Sequence, residues 1–65
     1  LNDTSVYLSR REQEILALVV KGFTAKEIAF RLSRSKRTIE NAIAKIKDKT
    51  NCASKYELIY KYGHQ

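Results

Sequence analysis

Seven consecutive residues, Ser35-Lys36-Arg37-Thr38-Ile39-Glu40-Asn41, bring a hydroxyl, two cations, a carboxylate and a carboxamide together in about two turns of helix. These groups hydrogen-bond and carry charge, and the stretch contains no nucleophile paired with a base. Ser35 is a residue type that accepts a backbone N–H at a helix N-terminus, so the spacing predicts a helix from Lys36 to Lys49, roughly four turns long. Within it Ile39, Ala42, Ile43 and Ile46 follow the i, i+3, i+4, i+7 spacing of a core-facing stripe. At roughly 100° per residue, Arg37, Asn41, Ala44 and Asp48 then point away from that stripe, with Glu40 and Lys45 on its flanks. A basic, polar face with short side chains near a helix N-terminus suits the major groove of DNA.

Three further helices are predicted to hold this one in place. Ser9 followed three residues later by Glu12 has the spacing of a capping box, with Leu8 placed before it as a staple residue. The helix so begun runs through Ile15-Leu16-Ala17-Leu18-Val19-Val20. It is apolar on so many sides that it is expected to be the most enclosed of the four, and Gly22 ends it. Thr24-Ala25-Lys26-Glu27 repeats the capping box and opens a second helix, with Phe23 stapling its start and Ile28, Ala29 and Leu32 facing inward. Only Ser33 and Arg34 separate it from the Ser35 cap, and so short a turn implies crossed helices in contact, a helix-turn-helix. The polar run Thr50-Asn51-Cys52-Ala53 breaks the pattern. Ser54-Lys55-Tyr56-Glu57 then supplies a third capping box for a last helix to about Tyr62. Tyr56, Ile59 and Tyr60 are expected on its core side rather than as a base-stacking platform, and Leu58 and Tyr62, four apart, on another side. The expected fold is all-α, a four-helix compact bundle with a central helix-turn-helix over residues 8–65. Residues 1–7, which show no periodicity, read as a linker remnant.

Size and charge narrow the function. A chain of 65 residues is one small domain without room for a walled catalytic cleft. Its 13 Lys plus Arg against 7 Asp plus Glu give a formal +6, which makes a polyanion the leading partner, nucleic acid first and a membrane surface second. No apolar run approaches the roughly 20 residues that span a bilayer, and a soluble chain is expected. An enzyme is disfavoured: no Ser, His and acid set stands away from the caps, and no glycine-rich phosphate loop is present. Cys52, the one cysteine, excludes an internal disulfide and reads as a small buried hydrophobe. With the single His64 it makes no zinc site, and neither a metal nor a cofactor is expected. The absence of methionine and the start at Leu1-Asn2-Asp3 predict a segment of a longer chain.

Leu8-Ser9, Arg11-Glu12, Glu14-Ile15-Leu16, Gly22, Thr24, Glu27-Ile28-Ala29, Leu32, Ser35, Thr38-Ile39 and Lys49 together resemble, at matching spacing, the LuxR-type or GerE-type helix-turn-helix domain. The resemblance covers about Leu8 to Tyr62. It implies a cytoplasmic, sequence-specific binder of double-stranded DNA, the output module of a bacterial transcription regulator such as a response regulator. It also implies an N-terminal receiver or ligand-sensing domain in the full chain and a homodimer formed on DNA through the last helix, for which Leu58 and Tyr62 are the candidate contacts. The chain departs from the family pattern at Arg34, where an aliphatic residue is usual, at Ala42, where histidine is common, and at Thr50-Asn51-Cys52, which replaces a usual Leu-Gly-Val.

Binding chemistry divides the candidates. Lys26, Arg34, Lys36, Arg37 and Lys49, with the cap hydroxyls of Thr24 and Ser35, suit phosphate, where charge and backbone amides fix register without reading sequence. Glu40, Asn41, Ala44 and Lys45 are the expected base readers: Asn pairs with adenine in both directions, Glu accepts from the cytosine amino group, Lys donates to guanine, and Ala meets the thymine methyl. Glu40 has a competing role as an i,i−4 partner of Lys36. The competing function is a protein-interaction module using the helix-turn-helix surface or the last helix, and salt separates the two, because phosphate-mediated binding weakens steeply as salt is added.

Overall fold

Each helix begins on a hydroxyl side chain that closes part of its first turn. In the computed structural model, which describes residues 7–63, these are α1 Arg10–Val20, α2 Ala25–Leu32, α3 Lys36–Thr50 and α4 Lys55–Tyr62. Most of the expected linker, residues 1–6, lies outside the described residues, as does His64. At α1 the Ser9 N–H donates to Glu12 Oε1 at 2.8 Å while the Glu12 N–H donates to Ser9 Oγ at 3.1 Å. Thr24 and Glu27 make the same reciprocal pair at 2.8 and 3.2 Å. The third expected box is only half made: the Glu57 N–H donates to Ser54 Oγ at 3.3 Å, but the Glu57 carboxylate accepts from the Ala53 N–H rather than from Ser54. The Ser54 backbone also differs from the Ser9 cap, with φ −146° against −65°.

The helix ends use residues that tolerate left-handed backbone. Gly22 follows α1 at φ +98°, as its position predicts. After α2 the same role falls to Ser33 at φ 57°, and the Arg34 N–H donates back to the Ala29 carbonyl at 2.9 Å. After α3 it falls to Asn51 at φ 59°, with the Cys52 N–H on the Lys47 carbonyl at 2.8 Å. Asn is second only to Gly in accepting this conformation, so Asn51 fills the position where the family pattern has glycine.

The core consists of Ile15, Val19, Ile28, Ala29, Ile39, Ile43, Ile46 and Leu58, with Phe23, Leu32, Ala42 and Cys52 packed around it. α1 touches the other three helices and buries Glu12, Ile15 and Val19, with Leu16, Leu18 and Val20 half-buried and Ala17 exposed. One expectation changes here. In α4 the expected core side is the outer side: Tyr56 and Tyr60 are each 75% exposed, Ile59 is half-buried, and Leu58, at 0%, is the residue that enters the core. A short helix lying on the surface of α1 buries one narrow line of residues. The compact apolar Leu58 occupies that line, while the tyrosine hydroxyls stay near water.

Thr50 is buried although it belongs to the run that breaks the apolar pattern. Its hydroxyl donates to the Ile46 carbonyl at 2.7 Å, which satisfies the group inside the helix and lets the side chain fill a core position. The reciprocal caps give a direct expectation: in urea unfolding, Ser9→Ala and Thr24→Ala should each lose about 0.5 to 2 kcal/mol. Glu57→Ala should lose less than Glu12→Ala, because Glu57 closes no reciprocal box.

Candidate nucleic-acid interface

Burying one stripe of α3 fixes the rotation of the whole helix. Arg37, Asn41, Ala44 and Asp48, on the opposite side, are exposed, and so are Glu40 and Lys45 on the flanks. Lys36 Nζ lies 3.7 Å from Glu40 Oε2 with both side chains more than half exposed, so the i,i+4 partnership is formed, yet it is weak and open to exchange with an outside partner. Arg34, Arg37, Lys45 and Lys26 have no carboxylate partner among the described residues. α2 and α3, joined through Ser33, Arg34 and Ser35, pack directly on one another, which brings the N-terminus of α3 beside exposed, unpaired Arg34.

The caps at this site hold one feature that types and spacing did not single out. Ser35 Oγ accepts the Thr38 N–H at 3.1 Å and lies 2.9 Å from Thr38 Oγ1, so one hydroxyl donates to the other and the pair keeps a single O–H for an outside acceptor. Exposed Thr38 therefore places a second hydroxyl beside Ser35 at the N-terminus of α3. A hydroxyl at the third position of a helix beginning with Ser was the available signal.

Three of the expected site residues, Lys49, Leu58 and Tyr62, are engaged within the fold. Lys49 Nζ donates to Glu12 Oε1 at 2.8 Å, and its position is about 18 Å along the helix axis from Arg37. Its ammonium, on a side chain 40% exposed, ties the C-terminal end of α3 to the capping box of α1. Leu58 has no exposed surface with which to meet a partner, and Tyr62 is half-buried against the core. The exposed apolar residues of α4 are Tyr56 and Tyr60.

A helix-turn-helix with an exposed polar face on its second helix is the architecture of a regulator's recognition module. Residues 6–62 match the family described as bacterial regulatory proteins, luxR family, and the chain belongs to that family. It is 47% identical over 58 residues to the oxygen regulatory protein NreC of Staphylococcus carnosus, and 42% identical over 58 residues to the probable transcriptional regulator ycf29 of Porphyra purpurea. Each alignment covers 89% of this chain and 27% of the relative, so the chain spans about a quarter of the length of the curated relatives it matches. The NreC of Staphylococcus haemolyticus is 43% identical over the same length. No solved structure matches the chain.

The Glu12 carboxyl is held below the ordinary glutamate value of 4.5, first by the Lys49 ammonium and then by the Ser9 N–H, against the opposing effect of burial. A lowered value in the folded state adds stability that is complete above the unfolded value and is lost as pH falls through the folded one. The stability difference between the parent and Glu12→Gln should accordingly hold steady from neutral pH down to about 5, then shrink below 4.5. Lys49→Ala should cost about 1 kcal/mol in urea unfolding, below the range of about 1.5 to 3 kcal/mol for a hydrogen bond to a charged group, because water reaches the partly exposed pair. Its salt dependence of DNA binding should match the parent's. A slope lowered by about one with stability unchanged would return Lys49 to the phosphate contacts.

Proposed function

We propose that this domain binds double-stranded DNA sequence-specifically as the output module of a bacterial transcription regulator, with the N-terminal half of α3 in the major groove. One observation carries the reading. The side of α3 opposite its buried stripe is wholly exposed, and its polar groups Arg37, Glu40, Asn41 and Lys45 stand with Lys26 and Arg34 in a set whose cations have no carboxylate partner among the described residues. Glu40, Asn41, Ala44 and Lys45 read base edges. Lys26, Arg34, Lys36 and Arg37 neutralise phosphates, while the Thr24 hydroxyl, the Ser35–Thr38 hydroxyl pair and the free N–H groups of the α3 N-terminus fix the register. Glu40 exchanges Lys36 for a cytosine amino group on binding, and Lys36 is released to phosphate.

The full regulator works in the cytoplasm and carries an N-terminal receiver or ligand-sensing domain. Two copies pair on DNA through α4, where Tyr56 and Tyr60 take the place first assigned to Leu58 and Tyr62. Two rings offer too little surface for tight association in solution, so pairing firms up only when adjacent half-sites hold both copies. Changing Tyr56 and Tyr60 together to Lys should abolish cooperative binding to a two-half-site duplex while leaving affinity for a single half-site within about twofold. Equal loss on both duplexes would place the tyrosines in DNA contact instead.

Selection of bound sequences from a random duplex pool, at one stated salt concentration, tests the reading itself. The parent should return a defined half-site, and Asn41→Ala should relax preference at one base pair by about 1 to 3 kcal/mol with unchanged melting and unchanged nonspecific affinity. Identical preferences from parent and variant would mean that α3 is rotated or displaced from the groove.

A further inference from the structure

We infer that the cleft between Phe23 and Phe30 on α2 is a docking site for an acidic segment of another protein that carries an exposed leucine or phenylalanine. Phe30 is 88% exposed, the most exposed large apolar side chain among the described residues. A single exposed ring is ordinary on a protein surface. This one borders a groove of about 570 Å³ lined by Phe23, Thr24, Lys26, Glu27, Phe30 and Arg31. The far wall is already ordered: Phe23 packs against the core, and the Arg31 guanidinium stands 4.8 Å from the centre of its ring.

The charge of the lining identifies the occupant. Lys26 and Arg31 have no carboxylate partner among the described residues, and the one acidic group, Glu27, is held by the Thr24 N–H at 2.8 Å. The groove thus offers two aromatic residues beside two cations that have no carboxylate partner among the described residues. A phosphate backbone would use the cations and gain nothing from the rings. Carboxylates flanking an apolar side chain would use both, with Arg31 already positioned by Phe23, so less side-chain freedom is lost on binding. An aromatic and arginine anchor at the centre of a small patch is also the composition in which interface energy concentrates. Thr24 and Lys26 also belong to the proposed phosphate contacts, so the acidic segment and duplex DNA would compete at the start of α2, whereas Phe30 and Arg31 serve the segment alone.

The test uses the 65-residue chain, isotopically labelled, and two synthetic peptides of equal charge. One sets two leucines among Asp and Glu residues, and the other replaces both leucines by serine. The leucine peptide should shift backbone amides across residues 23–31 and bind about fivefold or more tighter than the serine peptide. Phe30→Ala should remove that difference while leaving duplex DNA affinity within about twofold. The inference is overturned if neither peptide binds, if both bind alike, or if the shifts spread across α3. It is also overturned if Phe30→Ala weakens duplex binding as much as peptide binding, which would assign the cleft to nucleic acid.

Discussion

Everything in this domain depends on hiding one side of a single helix. α3 places Ile39, Ile43, Ile46 and Thr50 on one line, and their burial against the other helices leaves it no freedom to rotate about its axis. The exposed face is therefore a consequence of the core: a rotation of about 100° would drive a charged or amide side chain into apolar surroundings and bring an isoleucine into water. The proposed readers are placed by residues that touch no nucleic acid. In so small a core each isoleucine carries a large share of the total stability, and structure and recognition are perturbed together by any change along that line.

Rotation alone does not fix where the helix lies, and two further devices do. At its N-terminus, Ser33 turns the chain through left-handed backbone so that α2 and α3 meet after only two intervening residues and the Ser35 cap. At the other end, Glu12 Oε1 accepts from both the Ser9 N–H and Lys49 Nζ, which joins the first turn of α1 to the last turns of α3. A nearly buried carboxylate that completes a cap and an ion pair at once is a rigid joint, because loss of either partner leaves the other incompletely satisfied. α3 is thus pinned at its far end and hydrophobically seated along its length, with its N-terminal face left open.

Much of this was legible in the residues. Ser9, Thr24, Ser35 and Ser54 marked all four helix starts, because a hydroxyl cap is a local device that depends on nothing distant. The α3 stripe was legible because four apolar residues admit only one inward face. α4 was not: in Lys55–Tyr62 three tyrosines, Leu58 and Ile59 leave two plausible inward faces, and only the packing partner decides between them. Lys49 looked like a free cation because its carboxylate lies 37 positions earlier in the chain. Thr50 looked polar because its hydroxyl's partner, the Ile46 carbonyl, is a backbone group that residue types do not display. Phe30 could have been noticed, since it falls off the Ile28, Ala29, Leu32 stripe and so had to face outward.

In the proposed function, the α3 face opposite the isoleucine stripe is the surface that meets DNA. The most direct measurement follows the backbone amide signals of the chain as a duplex carrying its selected site is added. The largest changes should fall at Arg34 to Lys45 and at Thr24 to Lys26, Lys49 and Thr50 should move little, and all changes should fade as salt is raised. Changes concentrated on α4, or on the outer side of α1, with α3 silent would contradict that placement.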